Sequence, residues 1–264
     1  PLNIVIEHTS ANPIHPLHMG HARNACIGDT LSRLLKSRGH KINRRFYIDD
    51  MGRQVIIAAL GFKILNEIPS ELSKKLNIKP DKLVGWVYAV SSTTIDAIEA
   101  KKKNDIEEAE KLSSVLTRLK SQDPGDLFNK LFEGLNSLSD PGKEISNMML
   151  NYEKGIEPDK SLIRSMTKSV LDGFKETLNR LSIEFDDWDW ESDIVWNGLV
   201  DQVINVAKNN KYFTKFKDAD AIDIPSIINE IVKNDENISK IIKLPKGFEL
   251  PPLIIRRSDG STLY

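Results

Sequence analysis

The chain has 264 residues, 40% hydrophobic and 28% charged, with a formal net charge of -1. This is an ordinary soluble composition, long enough for one large domain or two small ones, and its bulk charge selects no nucleic-acid or membrane partner. A single cysteine, Cys26, excludes disulfide scaffolds and cysteine-based zinc sites within the chain, fits a reducing cytoplasmic setting, and no apolar run approaches the roughly 20 residues that span a bilayer.

Residues 2–7 read as a buried strand entering the loop Thr9–Pro16. Asn3, Glu7 and His8 interrupt any signal-peptide core. From Leu17 to Arg38 the apolar positions Ala22, Cys26, Ile27, Leu31, Leu34 and Leu35 recur at helical spacing and predict the packed face of a helix. Gly39 then suits the position after a helix C-cap. A second strand follows over Lys41–Ile48, then the turn Asp49-Asp-Met-Gly52 and a helix over 54–66. Strand, helix and strand within about 50 residues form a βαβ unit, whose right-handed crossover makes the strands parallel.

Residues 67–160 are rich in Lys, Glu, Ser and Asn, with helical patterns over 81–120, 126–138 and 143–154 broken by Pro124-Gly125 and Pro141-Gly142. They read as a helical insertion, with Lys101-Lys-Lys103 on a solvated helix face. Residues 160–181 form an amphipathic helix through Leu162, Met166, Val170, Leu171, Phe174 and Leu178. It leads into a strand and an acidic, aromatic loop over Ile183–Ser192, where Trp188 and Trp190 alternate as core residues. A helix over 196–210 and a second insertion over 212–250 follow, with a hairpin at Phe213–Ile224. Leu253–Arg257 is expected as a third core strand and Ser258–Thr262 as its turn. The fold class is therefore α/β: a Rossmann-type parallel sheet (1–60, 161–192, 253–264) with mainly helical insertions (61–160, 193–252). The non-methionine start and abrupt end lead us to expect a piece of a longer protein.

Four of the five histidines, His8, His15, His18 and His21, lie within fourteen residues. Residues 1–60 hold eight Lys and Arg against four Asp and Glu, so this end is locally electropositive. A strand, a tight loop and a helix N-terminus make an anion site. His18 and His21 are three apart and share one side of the first helical turn, where both can donate to phosphate oxygens. Gly20 removes a side chain where backbone must approach a flat base. Pro13 and Pro16 stiffen the loop. The plainer reading makes His18 a helix cap and His21 a surface residue. Zinc lacks partners at the usual spacing, so no structural metal is expected.

Pro16-Leu-His-Met-Gly-His21 resembles the HIGH signature of class I aminoacyl-tRNA synthetases. Ile6-Glu-His-Thr-Ser-Ala-Asn-Pro13 resembles the version in arginyl-tRNA synthetases, particularly those of archaeal type. Tyr47-Ile-Asp-Asp-Met-Gly-Arg-Gln54, Glu184-Phe-Asp-Asp-Trp-Asp-Trp-Glu-Ser192 and Arg257-Ser-Asp-Gly-Ser-Thr-Leu-Tyr264 agree with the same family, in order, over almost the whole chain. The resemblance implies a two-step reaction. The arginine carboxylate attacks the α-phosphorus of ATP, bound with Mg2+, and the arginyl group then passes to a ribose hydroxyl of tRNA(Arg), with no DNA or membrane partner. It implies that His18 and His21 stabilise the phosphates, that Gly20 borders the adenine, that Glu7 and Asn12 hold the amino-acid ammonium, and that Tyr264 contacts the guanidinium. Gln54 is a further candidate for substrate contact. Glu7 has a plainer reading as a strand-end carboxylate in water, and Asn12-Pro13 as a turn.

Arginine specificity rests on the resemblance alone; the residues themselves reach a nucleotide-binding α/β domain that adenylates. Two other readings stand beside it: a different adenylyltransferase with a His-x-Gly-His loop, and a synthetase-like paralogue that binds nucleotide or RNA without ligating. The family's second ATP signature, its guanidinium-binding aspartate and its tRNA-binding domains have no match here. The chain alone is therefore expected to show no exchange of labelled pyrophosphate into ATP with arginine and tRNA present; robust exchange contradicts this.

Overall fold

The computed structural model describes residues 1–234 and 250–258, which fall into two compact units, Pro1–Trp196 and Asn197–Tyr264. The first unit runs β1 (Asn3–Glu7), α1 (Met19–Ser37), β2 (Lys41–Ile48), α2 (Arg53–Leu65), α3 (Pro69–Leu76), α4 (Pro80–Lys102), α5 (Ile106–Ser121), α6 (Phe128–Asn136), α7 (Pro141–Glu153), α8 (Asp159–Arg180), β3 (Asp187–Trp190) and α9 (Glu191–Trp196). Its sheet is parallel throughout in the order β1-β2-β3. Asn3 faces Lys41, Glu7 faces Arg45, and Ile48 faces Trp190. The expected parallel α/β class is thus present.

Helix α2 is the centre of this unit. Val55 through Phe62 are buried without interruption, the pattern of a helix covered on all sides. A Cβ on Gly61 would lie 2.6 Å from Ser91 Oγ and Val87 Cγ1, so its bare backbone lets α4 approach closely. Leu83, Val84, Val87 and Val90 of α4, Leu131 and Leu135 of α6, Ile145 and Met148 of α7, and Met166, Val170 and Phe174 of α8 join one hydrophobic cluster with α2. The inserted helices therefore share the core that supports the sheet. Residues 101–103 are exposed, as expected for a solvated face.

Strand β3 is held by charge as well as by its ladder. Arg44 donates through Nε and Nη2 to Asp186 at 3.0 and 2.8 Å, and Arg45 Nη1 donates to Asp189 at 2.7 Å. The Arg44 hydrogen bond holds the Asp186 carboxyl down at about 2, against a smaller opposing effect of burial. These aspartates offset part of the positive charge counted over residues 1–60.

Two expectations about the first unit need correction. Helix α1 forms where periodicity placed it, ending in Gly39 at φ 85° with His40 N–H donating to Leu35 O. Its packed face, however, is Ala25, Gly28, Asp29 and Ser32. Ile27, Leu31 and Leu34 of the predicted face are exposed, Leu34 by 59%. Small residues win because they let the helix lie close: a Cβ on Gly28 would sit 2.2 Å from His8 Cγ. Strand β1, expected to be buried, is likewise a sheet edge whose only buried residue is Ile6.

The second unit contains α10 (Leu199–Lys208), β4 (Phe213–Phe216), β5 (Ala219–Ile222), α11 (Ile224–Asn234) and β6 (Leu253–Arg256). The hairpin β4–β5 turns through Lys217 and Asp218, both at positive φ, a two-residue turn that matches strand twist. The strand expected at 253–257 exists, but as a correction it pairs antiparallel with β5 in this separate sheet and adds nothing to the parallel one. A four-residue apolar run carries no information about which edge it will join. Tyr264 and the turn residues 259–262 lie outside the described residues. Among the described residues no helix is long and apolar enough to cross a membrane.

Gly28→Ala is expected to destabilise the chain by about 1–3 kcal/mol through the clash with His8, measured by urea denaturation; an unchanged midpoint refutes the close packing of α1 on the loop.

Candidate active site

Two groups of side chains gather in the first unit. The first is the histidine loop. His18 is the N-cap of α1: its Nδ1 accepts from Gly20 N–H at 3.1 Å, while His21 Nδ1 accepts from His18 N–H at 3.2 Å. The plainer reading of His18 as a helix cap therefore holds, whereas His21 is half-buried and completes the capping box instead of standing free on the surface. A neutral imidazole that accepts through Nδ1 carries its proton on Nε2, so each ring keeps one donor for an incoming ligand. The rings stack with centroids 3.8 Å apart. His15 joins them at 5.8 and 5.9 Å. Burial, then the neighbouring His18 and His15, lower the His21 pKa. An anion placed against the loop would favour the charged His21 ring that burial and its neighbours disfavour.

Glycine is required at position 20 for a local reason. A Cβ there would lie 2.9 Å from His18 Cε1, so a side chain would push the capping ring out of place. The loop is backed from outside as well. A Cβ on Gly85 would meet Pro16 Cδ at 3.1 Å and His15 Cα at 3.3 Å, so α4 lies directly against it.

The second group stands at the C-terminal ends of β1, β2 and β3, where open α/β sheets bind ligands. Thr9 and Ser10 both adopt positive φ, at 69° and 35°, a costly conformation for residues with side chains. This bend aims Ser10 Oγ at Glu7, to which it donates at 2.7 Å, while it accepts from Tyr47 N–H at 3.1 Å. Asn12 Nδ2 donates to Gln54 Oε1 at 2.9 Å, so two of the predicted substrate residues meet. Asn12 Oδ1 is buried without a hydrogen-bond partner among the described residues.

Two carboxylates that sequence reasoning passed over complete this group. Burial pushes Glu191 up to about 7, helped by the charge of Asp49, a hydrogen bond with Asp49, and the charge of Asp50. Tyr47 is also raised, first by burial and then by Glu191, Asp49, Asp50 and Glu7. The tyrosine therefore sits among four acids contributed by all three strand ends. The available signal was positional: Asp49 and Glu191 each follow directly after a strand. His15 was passed over because, although it lies three residues before His18, it belongs to the loop ahead of α1, where that spacing does not set a shared face. Among the described residues no cluster is arranged to hold a metal ion.

The arrangement pairs an anion-accepting loop with a set of crowded acids. A group whose folded pKa is raised favours folding below the ordinary carboxylate range, and loses that contribution as pH rises through the folded value. Glu191→Gln is accordingly expected to raise the melting temperature at pH 8 relative to the parent chain and to leave it unchanged at pH 4. Equal shifts at both pH values contradict a buried, crowded Glu191.

The family model described as tRNA synthetases class I (R), catalytic domain, matches residues 2–189. The arginine--tRNA ligase of Aeropyrum pernix is 50% identical over 264 residues, covering all of this chain and 41% of the relative. That of Sulfolobus acidocaldarius is 40% identical over 276 aligned residues, covering all of this chain and 42% of the relative. Arginyl-tRNA synthetase of Thermus thermophilus shares the fold, with a TM-score of 0.59 at 22% identity, over all of this chain and 34% of that one. The chain thus spans about two fifths of the length of the curated relatives it matches. A match across most of its length, over the histidine loop and all three parallel strands, makes the chain a member of the class I (R) tRNA synthetase catalytic-domain family.

Proposed function

We propose that the chain is the part of an arginine--tRNA ligase catalytic domain that binds ATP, with Mg2+, and arginine for formation of arginyl-adenylate, the arginyl group then passing to tRNA(Arg). The observation that carries this reading is the convergence of Glu7, Asp49, Asp50 and Glu191 around Tyr47 at the strand ends, within the same unit as the histidine loop.

Arginine carries an ammonium and a guanidinium, and a site for it needs anionic acceptors at both ends. Glu7, held by Ser10, and the orphan Oδ1 of Asn12 suit the ammonium. Asp49 and Glu191 suit a second cation, since a guanidinium placed against them offsets the burial, and then the crowding by Asp49, that raise Glu191 to about 7. Tyr264 remains a candidate for the guanidinium on resemblance alone.

The nucleotide falls to the histidine loop. In adenylyl transfer the protein mainly positions groups and stabilises charge. The Nε2–H donors of His18 and His21 address phosphate oxygens as negative charge builds on the α-phosphoryl group. The α1 N-terminus adds its dipole. Mg2+ accompanies the triphosphate as a substrate complex. Attack by the arginine carboxylate forms the acyl–phosphate bond and expels pyrophosphate; no protein nucleophile is required.

The test is calorimetric binding of a non-hydrolysable arginyl-adenylate analogue to the chain. Saturable binding is expected, weakened about 10- to 100-fold by His18→Ala or His21→Ala, the loss of one charge-assisted hydrogen bond. Glu191→Gln is expected to weaken the arginyl analogue more than the alanyl one. Equal affinity for both analogues in the parent chain overturns the arginine assignment.

A further inference from the structure

Asp50 is a fully buried acid to which the reading above gives no substrate contact. Its Oδ1 accepts from Ser192 N–H at 3.0 Å and its Oδ2 from Ser192 Oγ at 2.6 Å. Tyr152 OH, from α7, donates a short hydrogen bond to the same Oδ2. Arg164 of α8 lies 3.8 Å away, donating to Ser192 Oγ at 2.5 Å and to Asp193 Oδ2 at 3.1 Å. The Arg164 guanidinium stacks 3.6 Å over the Trp190 ring. Trp196 caps the hub by donating from its ring N–H to Tyr152 O at 2.9 Å. An acid with this many donors is held rigidly, because releasing any one of them leaves a buried polar group short of a partner.

The two residues gripped here, Asp50 and Ser192, are the immediate chain neighbours of Asp49 and Glu191. Asp50 and Ser192 are buried while Asp49 and Glu191 beside them are only half-buried, so the gripped pair faces inward and its chain neighbours face outward. Fixing the inward pair therefore fixes the spacing of the outward pair.

We propose that Asp50 is a positioning residue: its carboxylate locks the ends of β2 and β3 to each other and to α7, so that Asp49 and Glu191 are held side by side as one receptor for a cationic substrate group. It deepens the reading of that pair as the guanidinium contact and rests on it for its function. One consequence is that α7, an inserted helix that supplies no residue to the proposed substrate contacts, adjusts the substrate pocket through Tyr152.

The groups facing Glu191 and its hub are Tyr47, Asp49 and Asp50 around β2, Glu7 of β1, Tyr152 of α7, Arg164 of α8 and Asp193 of α9. The test is a carboxyl-carbon NMR titration of Glu191 in the parent chain, in Tyr152→Phe and in Ser192→Ala. Both variants keep every one of these acidic charges and remove one donor to Asp50. The expected result is a Glu191 midpoint near 7 in the parent that falls by about one unit or more in the variants, as the pair separates. An unchanged midpoint in a folded variant with a lowered melting temperature overturns the proposal and leaves Asp50 a support of the fold. If Tyr152→Phe fails to fold, Ser192→Ala carries the same readout. A separate arm measures the arginyl analogue with Glu191→Gln. No loss there removes the guanidinium reading, whereas the titration judges the positioning independently.

Discussion

Parallel pairing of β1, β2 and β3 brings three strand ends to one side of the sheet, and every feature of the proposed site follows from that alignment. Residues that are distant in sequence, Glu7, Asp49 and Glu191, become neighbours because each stands at or just beyond a strand's last ladder position. Backbone hydrogen bonds set this geometry, but they do not hold the ends together by themselves. Arg44 and Arg45 fasten β3 along its length, and the Asp50 hub fastens its tip. Among the described residues the sheet has three strands, so its side-chain ties carry much of the alignment.

The same alignment creates an electrostatic conflict. Acids at strand ends repel one another, and burial deepens the cost. The fold does not neutralise all of them internally. Asp50 is satisfied by buried donors and Asp186 by an arginine, yet Glu191 is left half-buried beside Asp49 and Asp50, and burial followed by those two acids raises its pKa. A site left in that state is stabilised by a ligand that supplies the missing charge. The histidine loop is its counterpart, with three imidazoles held close at the start of α1. The two halves ask for substrate ends of opposite charge, as ATP and arginine provide.

Much of this was legible from residues alone, and the limits were physical. The βαβ unit, its boundaries at Lys41–Ile48 and the role of Gly39 followed from periodicity and capping chemistry. The buried face of α1 did not. Hydrophobic spacing finds the greasier stripe, whereas Ala25, Gly28 and Ser32 were chosen by how near β1 and His8 must come. The pairing of β6 was equally hidden, since a short apolar strand suits any free edge. His18, His21, Asn12 and Gln54 could be named early because loop and helix positions announce them. Asp49, Asp50 and Glu191 could not, because their importance arises only when two strand ends are placed in register, and acids in a polar turn look alike until then.

The capping role of His18 and His21 has a consequence for the first helix itself. An imidazole accepts a hydrogen bond only while the nitrogen concerned lacks a proton. Were the His21 nitrogen that caps the helix to take up a proton, the His18 amide it serves would be released, and the mouth of α1 would carry a bare donor. Such a donor is what a phosphate group seeks. The first turn can therefore exchange one lid for another, a side chain for whatever anion the solution supplies.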